Sequence, residues 1–196
     1  MRLPRAFAFA ALGLALTACS SSIVKTGFDR LGGPSTTAAS KPAAGAPAIW
    51  VTLAAKGIKF SMAKLGTDAA VAVWAAKDGS QMALRDGVLI NTRGFGMDLM
   101  SAQAPSLATL VKMGGHNRIY YDLDGSDTMR SHSFKCTSEP GAAGDKQFAR
   151  HIVENCVGDL GTLQNDYWLD SSGRVAASRQ WVSQGVGYAA IEKNES

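Results

Sequence analysis

Beyond Ala48 the chain consists of short apolar or alternating runs separated by turn residues, and this pattern most narrowly limits the fold. The run from Ala69 to Ala76 is stopped by Lys77-Asp78-Gly79-Ser80, which has the composition of a hairpin turn. The predicted strands cover residues 69–76, 81–85, 88–92, 117–123, 128–136, 146–157, 163–169, 174–182 and 185–191. A sheet of this many short strands must curl, close or stack. We therefore predict a mainly β domain, built as an antiparallel multi-stranded curled sheet, roll or barrel-like sandwich.

One or two short helices are expected beside the strands. The segment from Pro105 to Met113 has apolar residues at Leu107, Leu110 and Val111. It begins with proline and is followed by Gly114-Gly115, as is typical of a short helix. No repeat at the period of a solenoid or a propeller is present in the sequence.

The N-terminus has the composition of a targeting segment. Met1 to Arg5 is cationic, and Ala6 to Ala15 is apolar but too short for a permanent transmembrane helix. The following Leu16-Thr17-Ala18-Cys19 resembles a bacterial lipobox, whose cysteine receives a diacylglycerol before the peptide is cut on its N-terminal side. We therefore predict a signal peptide over residues 1–18.

Acylated Cys19 is then the first residue of the mature protein and its anchor in the lipid bilayer, because fatty acyl chains such as palmitate hold a protein on a membrane without a transmembrane helix. Ser20-Ser21-Ser22 stands where an Asp would favour retention at the inner membrane, so we expect the periplasmic face of the outer membrane. Residues 19–48 are rich in Ser, Thr, Ala, Gly and Pro and predict a lipidated tether. Residues 49–196 predict a single domain.

Charge gives no support for a nucleic-acid partner. The net charge of the whole chain is +4, and Arg2 and Arg5 of the signal peptide contribute two of these charges, which leaves +2. The basic residues are scattered, without the basic runs and interleaved aromatic residues that a phosphate backbone requires. We therefore predict that the protein binds no nucleic acid.

Two cysteines remain once Cys19 is acylated. The periplasm is oxidising, so Cys136 and Cys156 are expected to form a disulfide. A zinc site is the alternative, since His132 and His151 precede the two cysteines at short spacings. Residues five apart on a strand point to opposite faces, which disfavours His151 and Cys156 as ligands of one ion. We predict the disulfide and no bound metal.

Motifs for catalysis or for a cofactor are not found in the sequence. It has no Gly-x-Ser-x-Gly elbow, no His-Glu-x-x-His and no phosphate-binding glycine loop that opens a helix. Asp122 to Asp127 contains three carboxylates but lacks the glycine and glutamate positions of a calcium loop, so it is interpreted as a hairpin turn. Tyr120-Tyr121 and Tyr167-Trp168 are adjacent pairs on strands, so one ring of each pair should face the core and the other the outside.

Three segments of the chain contain short motifs in a fixed order. The first is Gly87 to Leu99, with a short strand, Thr92-Arg93-Gly94 and Asp98-Leu99. The second is Val153-Glu154-Asn155-Cys156 with the earlier Cys136. The third is the C-terminal hairpin, formed by Asn165 to Asp170, Gly173-Arg174-Val175 and Ser178-Arg179-Gln180. Together these segments resemble the YjbF/GfcB family of outer-membrane lipoproteins, which is linked to group 4 capsule and exopolysaccharide secretion.

The resemblance implies a non-enzymatic accessory of capsule or exopolysaccharide export, without catalytic residues or cofactors. A polysaccharide-modifying periplasmic enzyme and a structural envelope lipoprotein are the alternatives. The expected partners are the bilayer, through Cys19, and a polysaccharide or a polysaccharide-export channel. The candidate binding residues are Arg93, Tyr167 and Arg179. Each has a structural alternative: the arginines can pair with Asp98 or Asp170, and Tyr167 can belong to the core.

Overall fold

The computed structural model describes residues 47–142 and 147–193. The predicted signal peptide, Cys19 and nearly all of the tether therefore lie outside the described residues. No helix in the described ranges has the length and apolar character needed to cross a membrane.

The described chain forms twelve strands in one sheet. A 3-10 turn, Ala54–Lys56, follows β1, and a single α-helix, α1, covers Leu107–Lys112 within the described ranges. The strands are β1 Ala48–Leu53, β2 Ile58–Asp68, β3 Val71–Ala75, β4 Gln81–Arg85, β5 Val88–Arg93, β6 Ser101–Gln103, β7 Gly114–Leu123, β8 Met129–Pro140, β9 Arg150–Gly158, β10 Gly161–Leu169, β11 Val175–Ser183 and β12 Gly187–Lys193. The predicted mainly antiparallel β fold with a short helix is confirmed.

The sheet is a meander interrupted once. Its strand order is β5-β4-β3-β2-β1-β12-β11-β10-β9-β8-β7-β6, so the first strand pairs with the last. The two edge strands, β5 and β6, are consecutive in sequence and lie close together. The amide of Thr92 donates a hydrogen bond to the carbonyl of Leu99 at 2.8 Å, and the Asn91 side chain donates to the carbonyl of Met100 at 2.6 Å. The sheet is therefore nearly closed.

Apolar side chains fill the interior in two clusters. The larger one packs β1 to β5 against β7 to β12 and includes Leu53, Met62, Phe95 and Trp181. The smaller one lies beneath α1 and includes Leu110 and Ile152. Opposite walls of the sheet also meet directly, since the side-chain amide of Gln180 on β11 donates to the carbonyl of Gly87 and accepts from the amide of Leu89. The curled sheet is thus locked across its interior.

Three strands were not predicted from the sequence. These are β1, β2 and β6. In β2 all residues after Ala63 are exposed, so that half of the strand has no buried face and lacks the alternation of apolar and polar residues by which a strand is recognised. Strand β8 also runs to Pro140, beyond the predicted end at residue 136, and strand β7 already begins at Gly114, before the predicted start at residue 117. Strand pairing overrides the weak local propensity at these positions.

Candidate functional site

A charged pair lies in the interior of the sheet, where charges are uncommon. Arg118 on β7 and Glu154 on β9 both have fully buried side chains, and Arg118 Nε donates to Glu154 Oε1 at 3.0 Å. The two strands are separated by β8. The pair therefore spans one intervening strand and ties together three neighbours of the sheet.

Further polar side chains saturate this pair, and we call the whole set the buried network. Arg118 also donates to the hydroxyls of Tyr120 and Tyr167, at 3.1 and 3.0 Å. Both Glu154 oxygens accept further bonds. The partners of Glu154 Oε2 are Tyr167 at 3.1 Å and Asn165 at 2.8 Å, and Oε1 lies 2.8 Å from His116 Nε2. A buried charge is tolerated when its hydrogen-bonding capacity is met in this way.

The surroundings fix the ionisation states of the buried network. Burial by itself would raise the pKa of Glu154, but the charge of Arg118 and the hydrogen bonds from His116 and Asn165 outweigh it and lower that pKa to about 2. Burial raises the pKa of Tyr167 well above its ordinary value. At neutral pH Glu154 is thus an anion and Tyr167 is neutral. Glu154 is poorly suited to general acid catalysis, for which a pKa near the working pH is best.

Cys136 and Cys156 form the predicted disulfide. They are directly paired residues of β8 and β9, with a Cα separation of 4.0 Å and an S–S distance of 2.03 Å. The zinc alternative is wrong in this structure, because both sulfurs are bonded to each other and the two histidines contact carboxylates elsewhere. His132 lies 3.1 Å from Asp122, and His151 lies 3.0 Å from Asp166.

A second possible metal site, besides the zinc alternative, is a cluster of three residues whose types can bind metal ions. Potential ligand atoms of His116, Cys136 and Glu154 lie within 4.8 Å of one another. The sulfur of Cys136 is in the disulfide and offers no thiolate, and Glu154 is already bound by Arg118. The donor set therefore does not fit a metal ion.

The loop between β5 and β6 explains the Thr-x-Gly and Asp-Leu pattern noted in the sequence. The Asp98 carboxylate accepts hydrogen bonds from Thr92 Oγ1 and from the amides of Gly94 and Phe95, at 2.8 to 3.0 Å. This holds the loop in a turn that buries Phe95 in the larger apolar cluster. Arg93 lies at the start of the turn with an exposed side chain. Asp98 is thus a structural cap, and no ion pair between it and Arg93 is present.

A row of aromatic and charged side chains lies on the outer face of β9 to β12, and we call it the outer strip. His151 stacks on Trp168, with ring centroids 4.7 Å apart and planes within 8°. Asp166 contacts both His151 and Arg179, the latter at 3.8 Å. The Arg179 guanidinium lies 3.7 Å from the centre of the Tyr188 ring. The outer strip combines stacking surfaces with hydrogen-bonding groups.

The three predicted binding residues do not form one site. Arg179 belongs to the outer strip, paired with Asp166 and not with Asp98 or Asp170. Arg93 is exposed at the end of β5. Tyr167 is fully buried, so its structural alternative holds and a ligand on the outside cannot reach it. Of the adjacent pair Tyr167-Trp168, the Tyr167 ring lies in the core and the Trp168 ring lies on the outer face, as the alternation of side chains along a strand predicts.

Sequence reasoning missed the buried network. The available signal was the alternation in His116, Arg118, Tyr120 and Asp122, which occupy every second position of β7. Glu154 likewise alternates with the buried residues Ile152 and Cys156. Polar residues at such positions face the core when their neighbours of the same parity are apolar. Nothing in the linear sequence indicates that Arg118 and Glu154 contact each other.

Comparison with known proteins agrees with this architecture. Residues 37–193 match a family described as group 4 capsule polysaccharide lipoprotein gfcB, YjbF. No curated protein is significantly similar in sequence. The fold is similar to that of the hypothetical lipoprotein YmcC from Escherichia coli K12, with a TM-score of 0.67 and 16% identity over 90% of this chain and 97% of that chain. Because the family match spans most of the sequence, the chain belongs to the YjbF/GfcB family of group 4 capsule polysaccharide lipoproteins.

Proposed function

We propose that this lipoprotein is a non-enzymatic accessory of capsule or exopolysaccharide export, anchored through acylated Cys19 to the periplasmic face of the outer membrane. Its part is to present a rigid protein surface to the polysaccharide or to a polysaccharide-export channel. Membership of a capsule polysaccharide lipoprotein family supports the process and the lipid anchor. The lipobox-like sequence and Ser20-Ser21-Ser22 support the membrane.

The buried network is the observation that most supports a role without catalysis. It brings together ionisable side chains of β7, β9 and β10, and both members of its charged pair are fully buried. Every oxygen of Glu154 is bound by neighbouring side chains. A catalytic acid or base must reach its substrate, whereas these groups only contact one another. Their chemistry is therefore used to hold strands together.

The outer strip is the surface that we assign to polysaccharide or partner contact. Sugar rings pack on flat side chains such as Trp168, and their hydroxyl groups accept and donate hydrogen bonds with groups such as Asp166 and Arg179. Arg179 is held in place by Asp166 and Tyr188, so little side-chain freedom is lost on binding. Arg93, exposed at the end of β5, is the second candidate contact.

The test is polysaccharide export from cells that carry Arg93→Ala and Arg179→Ala, singly and together. Arg130→Ala is a matched control, because Arg130 is an exposed arginine in a 2.8 Å ion pair with Asp124 on the β7–β8 hairpin. We expect reduced export in the double variant and normal export in the control. Exposed ion pairs and cation–π contacts contribute about 1 kcal/mol, so the melting temperature should fall by only a few degrees.

Two results would refute parts of this proposal. Normal export from a well-folded double variant would remove both arginines from the contact surface. Turnover of a glycan by the purified protein would show that it is an enzyme and not a non-enzymatic accessory. The half-buried His151–Asp166 pair would then be the first pair of residues to substitute.

The anchor is tested separately by mass spectrometry of the N-terminal peptide of the mature protein. We expect acylated Cys19 as the first residue and recovery of the protein with the outer membrane. Cys19→Ala should leave the protein as an unprocessed precursor or release it from the membrane. An unmodified Cys19, or cleavage at another position, would contradict the lipid anchor.

A further inference from the structure

A cavity of about 290 Å³ opens at one end of the sheet interior. It lies between β1 to β4 on one side and β11 and β12 on the other, at the end that carries the β2–β3 and β4–β5 turns. Binding sites for small molecules occupy roughly 300–1,000 Å³, so the cavity is at the small end of that range.

Much of the cavity wall is apolar, with Ser178 as a buried polar residue among the lining residues. Its walls include Ile49, Trp74, Leu84 and Ile191, all buried in the larger apolar cluster. The small side chain of Ala72 on β3, which packs against the same cluster, leaves space that a larger residue would fill. Apolar walls of this kind favour an occupant that is itself apolar, such as an alkyl chain.

The mouth of the cavity is cationic. Lys64, Arg174 and Lys193 line it with exposed side chains, and Asp86 is the acidic residue among the lining residues. Partial burial lowers the pKa of Lys193, and the positive charges of Arg174 and Lys64 add to this effect against the opposing charge of Asp170. Arg174 Nε also lies 3.5 Å from the Asp170 carboxylate, so Asp170 and Asp86 together offset part of the positive charge of the three cations. The excess positive charge that remains would attract an anion to the mouth.

The cavity opens where the chain enters the domain. β1 begins at Ala48, and the carbonyl of Pro47 accepts a hydrogen bond from the amide of Lys64, at the mouth. The segment that precedes Pro47 is the one expected to carry the lipid anchor of this lipoprotein. This end of the sheet is thus joined covalently to the membrane-bound part of the chain.

We propose that the cavity takes the glycerol-proximal part of one acyl chain of an anionic membrane phospholipid, with the head group held at the mouth by Lys64, Arg174 and Lys193. The apolar walls select the alkyl chain, and the cationic mouth selects an acidic head group over a zwitterionic one. The lipid would hold this end of the sheet at the bilayer surface, in addition to the covalent anchor. Nothing in this site depends on the outer strip, so the two proposals are tested independently.

Trp74 provides the readout, because it is a wall of the cavity and one of four tryptophans in the sequence. The full-length lipoprotein is reconstituted in vesicles of unlabelled phosphatidylcholine that contain one brominated lipid. The brominated lipid is either phosphatidylglycerol or phosphatidylcholine, it carries bromine on its acyl chains, and its content is the same in both preparations. Bromine quenches tryptophan fluorescence on contact. We expect more quenching by the brominated phosphatidylglycerol, and we expect Trp74→Phe to abolish that excess. Trp168→Phe, on the outer face, is the matched control and should retain it.

Two further variants keep the test decisive if Trp74→Phe fails to fold. Ala72→Phe fills the cavity and should abolish the excess quenching with Trp74 still present. Lys64→Gln with Lys193→Gln should reduce quenching by the brominated phosphatidylglycerol to the level given by brominated phosphatidylcholine. Equal quenching by the two lipids in the unmodified protein would overturn the proposal, as would an excess that persists when Ala72→Phe has filled the cavity.

Discussion

Replacing Glu154 with Gln tests whether the buried network holds the fold together. The substitution keeps the size of the side chain but leaves Arg118, whose side chain is fully buried, without a counter-charge. Removing one partner of a buried ion pair costs about 3–5 kcal/mol, because the remaining charge stays desolvated. For a domain of this size, that loss lowers the melting temperature by about 6–20 °C.

The lowered pKa of Glu154 points to a stabilisation of similar size. It falls from 4.5 for an ordinary glutamate to about 2 in the folded protein. Each pKa unit corresponds to about 1.4 kcal/mol, which gives roughly 3 kcal/mol of stabilisation at neutral pH. Because the folded-state pKa is the lower one, this stabilisation is complete above pH 4.5 and is lost as the pH falls through about 2. Glu154→Gln should therefore flatten the acid limb of the stability curve.

The assay is denaturant unfolding followed by tryptophan fluorescence, with the disulfide intact, for Glu154→Gln, Arg118→Met and the double variant. The double variant should lose less free energy of unfolding than the sum of the two single losses, because it no longer contains an unpaired buried charge. Single losses below about 1 kcal/mol, or losses that add without coupling, would refute the structural role of the charged pair.

Three other predictions test particular contacts. Cys136→Ala with Cys156→Ala opens a link of sequence separation 20 and should cost about 2–5 kcal/mol of unfolding free energy, measured against the oxidised protein; an unchanged midpoint would contradict this. Gly87→Ala should lower the free energy of unfolding by about 1–3 kcal/mol, because a Cβ there would lie 2.5 Å from Val175 Cβ and the residue has φ +87°; an unchanged denaturation midpoint would contradict this close approach. Asp98→Ala should cost about 1–2 kcal/mol of unfolding free energy, because the amides of Gly94 and Phe95 lose their acceptor, and a protease should then cut the β5–β6 loop faster. Asp98→Asn keeps a side-chain oxygen and should be cut more slowly than Asp98→Ala. Equal cutting of the two variants would show that the side-chain acceptor does not hold the turn.

Much of the fold was open to prediction because its signals are local. Turn residues such as Asp78-Gly79 and Asp86-Gly87 lie between the strands that they join, and a meander pairs each strand with its sequence neighbour. Cys136 and Cys156 can form only one disulfide with each other, and that predicted disulfide is present. Alternation also showed that one residue of Tyr167-Trp168 must be buried, since adjacent side chains on a strand point to opposite faces.

Which residue of that pair is buried was decided only by tertiary structure. Tyr167 faces the core because Arg118 and Glu154, from β7 and β9, bind its hydroxyl there, while Trp168 stacks on His151 outside. Closure of the sheet likewise depends on the pairing of β1 with β12, the first and last strands of the described chain. Local periodicity sets how a strand presents its two faces. Only contacts between distant strands set which face is enclosed, because the energy of burying a charge or a ring depends on what lies across the sheet.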